Sequence, residues 1–308
     1  MQVIFGPIKS RRFGESLGVD LSPQTKQCNY DCLYCELKGK KAQDSMSEVL
    51  SCDFVLDEIK KGLEKFKNIE SLTITANGEP TLYPHLYELM LRLEDIKGDV
   101  KTLLLTNGAL LHNVCVSRAC LLFDKVKFSL DALSGDVFKK IDRPTKSINL
   151  EKILSGIYAF SADFTGELYA EILFVKGVND DLEEVKKMAK FLSPMRLKRL
   201  DIGTIDRPPA YRVDGISQEK LAQIAKIFLE FNVPLNLPKR EVVKKQNLSL
   251  NKEAILKTLA LRPQSVEDVK MLWDSATQDI LRKLVESCEV EIVKNNSISF
   301  YKLKDSSF

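Results

Sequence analysis

Gln27-Cys28-Asn29-Tyr30-Asp31-Cys32-Leu33-Tyr34-Cys35 follows closely on Leu17-Gly18-Val19-Asp20, a short apolar run that reads as a buried strand. The cysteine spacing is C-x3-C-x2-C, and it falls in the loop after that strand. Three thiolates on one short loop can bind three irons of a cubane, which leaves the fourth iron without a protein ligand. An open coordination site is what a cluster needs to act on a small molecule instead of only passing electrons. The competing reading is a zinc knuckle, but zinc sites usually want four Cys or His ligands, and His85 and His112 are far along the chain. The seven cysteines are an odd number in a chain with no secretion-type start, which favours metal ligation or free thiols over a disulfide framework.

Working outward, short β-branched or Leu-rich runs at 17–20, 71–76, 102–106, 126–131, 168–175 and 198–204 predict strands. They alternate with helix-length patterns at 49–66, 85–95, 110–123, 150–160, 182–191 and 218–231. Six such units predict an α/β fold, a parallel sheet or barrel over residues 1–237, with its chemistry at the carboxyl ends of the strands. Hydrophobic residues at 44% and charged residues at 29% over 308 residues suit a large domain plus a small one. No window approaches the ~20 apolar residues of a membrane span, and the first residues place their bases after a very short apolar start, so a cytoplasmic protein is expected. A net charge of +3 does not by itself imply a nucleic-acid partner.

Three further stretches sit at strand ends. Ala76-Asn77-Gly78-Glu79-Pro80 follows a strand and offers a carboxylate and carbonyls suited to an ammonium group, although Gly and Pro also punctuate ordinary βα turns. Thr106-Asn107-Gly108 and Val126-Lys127-Phe128-Ser129-Leu130-Asp131 close two others. Taken with the three cysteines and Tyr34 just before the last of them, these stretches resemble the radical S-adenosylmethionine (SAM) superfamily. The resemblance implies a partial (βα)6 barrel, a 4Fe-4S cluster on Cys28, Cys32 and Cys35, and SAM as cofactor on its unique iron. It places Tyr34 against the adenine, Gly78 and Glu79 beside the SAM amino group, and Ser129 and Asp131 by the ribose and carboxylate. It places Asn107 with the cofactor and Thr106 facing SAM or substrate. It also implies formation of a 5′-deoxyadenosyl radical and an electron donor such as flavodoxin or ferredoxin.

More narrowly, Gly6-Pro7 with Arg11-Arg12-Phe13-Gly14, Ile141-Asp142-Arg143-Pro144, Gly177-Val178-Asn179-Asp180 and Asp206-Arg207-Pro208-Pro209 are similar to a bacterial radical SAM group placed beside the wyosine-type tRNA-modifying synthases. A tRNA substrate is the first expectation, with a peptide or small molecule behind it. The synthases that build the tricyclic base carry further cysteines for a second cluster. Here Cys52, Cys115, Cys120 and Cys288 are scattered, which suggests buried structural thiols.

Arg11, Arg12, Arg143, Arg207 and Arg212 fall in loops, and several are expected to ring the open end of a barrel, where they would suit a phosphate or carboxylate substrate. Glu171 lies in an apolar strand, which predicts an inward carboxylate contacting substrate or SAM, or else a partner for one of those arginines. A basic connector over 238–250, with Lys239, Arg240, Lys244 and Lys245, leads to a tail over 251–308. Helix starts at Asn251, Ser265 and Ser275 and a hairpin over 289–293 and 298–303, turning at Lys294-Asn295-Asn296-Ser297, predict a small winged-helix-like domain. Its acids cancel its bases, so no specific DNA partner is expected, and Trp273 reads as core. A redox-responsive nucleic-acid-binding regulator is the alternative from another class; the strand-end motifs argue against it.

Overall fold

The computed structural model describes residues 2–10, 14–236, 247–261, 263–295 and 298–304. Its larger part runs β1 (Ile4–Ser10), β2 (Gly14–Asp20), α1 (Cys52–Lys65), β3 (Ser71–Thr75), α2 (Leu86–Lys97), β4 (Lys101–Thr106), α3 (Val114–Cys120) and β5 (Lys125–Ser129). It continues α4 (Gly135–Ile141), α5 (Leu150–Asp163), β6 (Glu167–Phe174), α6 (Leu182–Leu192), β7 (Arg199–Thr204), α7 (Gln218–Glu230) and β8 (Leu235–Asn236). The strands lie in one sheet in chain order, β1 to β8; β1 pairs antiparallel with β2 and every other pair is parallel. A sheet that never reverses its order wraps as a barrel wall, the partial βα barrel expected from the sequence.

Period-two alternation decides what each face meets. Leu17, Val19, Leu72, Ile74, Val126, Phe128, Ala170, Ile172, Leu200 and Ile202 are buried in the core, against helix residues such as Val55, Ile59, Leu89, Ile157, Val185 and Phe228. Each fully buried side chain of this size contributes about 1.5–3 kcal/mol. The alternate residues, among them Ser16, Thr73, Lys127, Ser129, Glu171 and Asp201, form a polar inner face. Ser129 stands opposite Glu171, and Glu171 opposite Asp201. Side-chain caps start the helices cleanly: Ser51 accepts from Phe54 N, Asn149 from Lys152 N, Asp181 from Glu184 N and Ser217 from Lys220 N.

Besides the two-residue strands β8 and, in the tail, Gln264–Ser265, two elements were not expected. The strand β1 contains Pro7 after a cis peptide and lies at the sheet edge, where a missing N–H is tolerated, yet the same proline hides a strand from pattern reading. The helix α4 has only seven residues, too short for its period to show.

The tail runs α8 (Lys252–Leu261), β9 (Gln264–Ser265), α9 (Val266–Leu272), α10 (Ser275–Glu286), β10 (Val290–Asn295) and β11 (Ile298–Leu303). Its three strands pair in the order β10, β11, β9 around a second cluster of Ile255, Leu259, Val269, Trp273, Leu281, Leu284 and Val290. Ser265 caps α9, but the cap of α10 is Asp274 and not Ser275: the Asp274 backbone is still extended and its carboxylate accepts from Thr277 N. The basic residues of the connector, 239–245, and the turn residues Asn296 and Ser297 lie outside the described residues. Lys257 of α8 donates to the Gln2 carbonyl beside β1, so the tail touches the barrel edge. Among the described residues no helix is long and apolar enough to cross a membrane.

Candidate functional site

Residues 21–51, between β2 and α1, have almost no hydrogen-bonded regular structure of their own, so the cysteine loop takes its shape from what grips it. Gln27 is the first grip. It is fully buried, its Oε1 accepts from Ser47 N at 2.6 Å and Glu48 N at 3.0 Å, and its Nε2 donates to Ser22 Oγ at 2.8 Å and the Glu48 carbonyl at 2.9 Å. Its backbone bridges to Gly78: Gln27 N donates to Asn77 O at 2.8 Å and Glu79 N to Gln27 O at 2.9 Å. Gly78 has φ +132°, and a Cβ there would lie 1.9 Å from Gln27 O, so no other residue fits this close approach.

The second grip is the end of α4. Its last carbonyls, which no helical N–H can reach, accept from the loop: Leu33 N donates to Ile141 O at 2.8 Å and Asp31 N to Asp142 O at 3.0 Å. The third is the segment after β7. There Ala210 N donates to Cys35 O at 2.8 Å, Tyr211 OH to Asp31 Oδ2 at 2.6 Å, and Arg207 pairs with Glu36 at 3.1 Å. Arg143 pairs with Asp31 at 3.4 Å and stacks over the Tyr211 ring.

So held, Cys28, Cys32 and Cys35 open on one cavity of about 250 Å³, lined also by Lys26, Gly78, Glu79, Thr106, Asn107, Lys127, Ser129 and Glu171. Tyr30 N donates to Cys28 Sγ at 3.4 Å, Lys26 Nζ to Cys35 Sγ at 3.3 Å, and Cys32 Sγ donates to Asp142 Oδ1 at 3.4 Å. Burial pushes the Cys28 thiol up to about 12 and Cys32 well above the usual thiol range, so metal loading must displace protons. Among the described residues no three Cys, His, Asp or Glu side chains converge tightly enough to grip a single ion. Three thiols spread around a cavity with no fourth ligand fit a multi-iron cluster with an open corner better than mononuclear zinc.

The strand-end residues divide between roles. Glu79 is buried, and its carboxylate already takes four donors: Thr81 N, Thr81 Oγ1, Thr106 Oγ1 at 2.6 Å and Asn107 N at 2.7 Å. Thr106, expected to face SAM or substrate, lines the cavity while its hydroxyl donates to Glu79. Asn107 donates to Asn29 Oδ1 at 2.7 Å, and both Asn107 and Ser129 line the cysteine cavity. Tyr34 and Asp131 meet each other instead of that cavity: Tyr34 OH donates to Asp131 Oδ2 at 2.5 Å, Leu173 N donates to Oδ1, and both side chains line a smaller neighbouring cavity. Burial holds the Asp131 carboxyl up to about 7.

Glu171 faces the cavity and pairs with Lys127 at 2.5 Å; Lys127 also pairs with the fully buried Asp201 at 3.3 Å, which Arg199 holds at 2.8 Å. Arg143 and Arg207 belong to the cysteine loop's supports and Arg212 is exposed, while Arg11 and Arg12 lie outside the described residues. Cys52 and Cys120 are buried as expected, but Cys115 and Cys288 are exposed: Cys115 lies on the open side of a short surface helix, and Cys288 at φ +59° in the turn after α10.

The reading of the sequence missed Lys26, Gln27, Asn29, Lys127, Asp142 and Tyr211. Lys127 left a signal of its own, a charge at an inward position of an apolar strand, whereas Gln27, Asn29 and Asp142 stood in the stretches that carry the resemblance without a role of their own. The others act on groups that folding brings to them.

The radical SAM superfamily model matches residues 23–192, more than half of the chain. A UPF0026 protein of Helicobacter pylori (strain ATCC 700392 / 26695) is 42% identical over 97% of this chain and 97% of its own length. Among solved structures, a radical SAM methyltransferase from Sphaerobacter thermophilus shares the fold at TM-score 0.56 and 16% identity, covering 73% of this chain and 67% of its own. Native anSMEcpe with bound AdoMet does so at TM-score 0.53 and 16% identity, over 71% and 63%. The gripped three-cysteine loop at the mouth of a parallel barrel, the matching model and the near-full-length relative together show that this chain belongs to the radical SAM superfamily, whose enzymes use a 4Fe-4S cluster and S-adenosylmethionine.

Proposed function

We propose that Cys28, Cys32 and Cys35 hold the cluster, that the surrounding cavity seats SAM, and that the enzyme abstracts a hydrogen atom from a substrate admitted beside Lys127 and Glu171. A cluster held by Cys28, Cys32 and Cys35 would supply the one electron needed for reductive C–S cleavage of SAM to methionine and a 5′-deoxyadenosyl radical. The chain's own part is positioning and exclusion of water. The Asn77–Gly78–Glu79 turn offers backbone carbonyls to an ammonium group, with Glu79 bracing the turn through four hydrogen bonds. Asn107 and Ser129 offer an amide and a hydroxyl to the polar parts of SAM. The observation that carries this reading is a set of three half-buried thiols sharing one cavity with those strand ends, with no fourth cysteine or histidine lining it among the described residues.

The division into a barrel over 1–237, a connector over 238–250 and a winged-helix-like tail over 251–308 belongs to the same proposal, supported by the two separate apolar clusters. A tRNA substrate rests on the motif resemblance. A peptide or small-molecule substrate is favoured by charge: in the described loops at the strand carboxyl ends, acids outnumber bases, which does not suit a polyphosphate backbone.

The test is anaerobic reconstitution. About four irons per chain, a cluster spectrum that changes on adding SAM, and 5′-deoxyadenosine released under dithionite are expected. Protein that binds the iron yet never forms deoxyadenosine would refute the proposed chemistry.

A further inference from the structure

We propose that Lys26 sets the reduction potential of the cluster through its contact with Cys35. The inference rests on the assignment of the three cysteines as ligands and adds an electrostatic role for a residue outside the motif.

Lys26 is almost wholly buried, with a side chain 7% exposed, and its Nζ lies 3.3 Å from Cys35 Sγ inside the cysteine cavity. Its direction is enforced. The next residue, Gln27, is pinned by its backbone bridge to Gly78 and its buried amide, so the chain at position 26 cannot turn away. On the other side Asp31 Oδ1, a buried oxygen with no hydrogen-bond donor, stands 3.8 Å from Nζ, while its partner oxygen is held by Tyr211 and Arg143. An ammonium so confined is buried at a real cost in hydration, and a pairing with Asp31 alone would be served by a closer approach than 3.8 Å. The closer neighbour is the sulfur.

Three thiolates on a cubane core carry net negative charge, and reduction by one electron adds another negative charge without making or breaking a bond. A fixed positive charge at hydrogen-bond distance from a ligand sulfur stabilises the reduced state more than the oxidised one, because attraction grows with the charge it faces and is weakly screened in a buried site. Lys26 therefore eases acceptance of an electron from a low-potential one-electron donor.

The experiment is an EPR-monitored redox titration of the reconstituted full-length protein, without SAM and with dithionite as reductant. For Lys26→Met the reduction equilibrium should fall by roughly tenfold, a shift of about 59 mV to more negative potential for a one-electron couple. Lys26→Arg should return most of the shift. A Lys26→Met midpoint equal to the parent's overturns the proposal, including the case in which that variant only weakens SAM binding. Should Lys26→Met hold fewer irons than the parent, Asp31→Asn decides: loss of the anion beside Lys26 should move the midpoint to more positive potential, and an unmoved or more negative one overturns the proposal. Parent protein that binds no iron would refute the cysteine assignment instead.

Discussion

Replacing Gln27 with leucine puts an apolar side chain of similar volume in place of the amide and removes every hydrogen bond that side chain makes. Six groups are left behind: Ser47 N, Glu48 N, the Glu48 carbonyl and Ser22 Oγ, at 2.6, 3.0, 2.9 and 2.8 Å, and at longer range Ser47 Oγ and Gln43 Nε2, at 3.2 and 3.3 Å. Hydrogen bonds of this kind contribute about 0.5–1.5 kcal/mol each, and more when the abandoned group stays dry. Ser47 and Glu48 are exposed residues that water can partly satisfy, whereas Ser22 is buried, so the sum falls near 3–5 kcal/mol by that same measure. Burying the leucine returns about 1 kcal/mol, leaving a net loss of roughly 2–4 kcal/mol. For a fold of this size that lowers the melting temperature by roughly 5–10 °C. The loss should be local as well as global. Hydrogen exchange at the Ser47 and Glu48 amides should rise well before that of the strands, and reconstituted iron should drop below the parent level. Melting within about 2 °C of the parent, with unchanged exchange at those two amides, would show that the cysteine loop is shaped by something other than Gln27.

Alanine at Cys28, Cys32 or Cys35 should abolish iron binding, whereas alanine at Cys52, Cys115, Cys120 or Cys288 should leave iron per chain at the parent value; colorimetric iron assays distinguish the two groups. Gly78→Ala should cost at least about 3 kcal/mol in urea unfolding, since it adds left-handed strain and breaks the bridge to Gln27, where the new Cβ would lie 1.9 Å from the carbonyl oxygen. The Asp131 carboxyl, raised by burial to about 7, contributes stability that is present below its unfolded value near 4 and is lost as pH rises through 7. Apo-protein stability should therefore fall over that window, by an amount on the order of a few kcal/mol, and Asp131→Asn should flatten the fall; parallel profiles for the two proteins would contradict this.

How much of this was legible before the structure follows from which forces are local. The six βα units were readable because Leu17, Ile74, Val126, Ile172 and Ile202 belong to short apolar runs that periodicity detects. The strand β1, interrupted by Pro7, and the short α4 carried no such period. At the site, the cysteines announce themselves by spacing, and Glu79, Asn107 and Ser129 by their places after strands. The inward turn of Glu171 was also readable; its partner was not, because Lys127 meets it only when β5 and β6 pair. Gln27, Asp142 and Tyr211 are ordinary residues in ordinary loops until the barrel closes. Their importance lies in distances, and distances between remote segments are not written in spacing.

The grips on the cysteine loop also order events in time. Asp142 meets Cys32 across 110 residues of chain, Arg207 meets Glu36 across 171, and Tyr211 meets Asp31 across 180. A nascent chain that has just displayed its three cysteines holds none of these partners, and contacts so far apart in sequence form late. The thiols consequently lack these partners throughout synthesis of the next half of the chain and more. If Cys28, Cys32 and Cys35 are the ligands proposed above, a cluster would find its shaped site only once the β7 segment had docked.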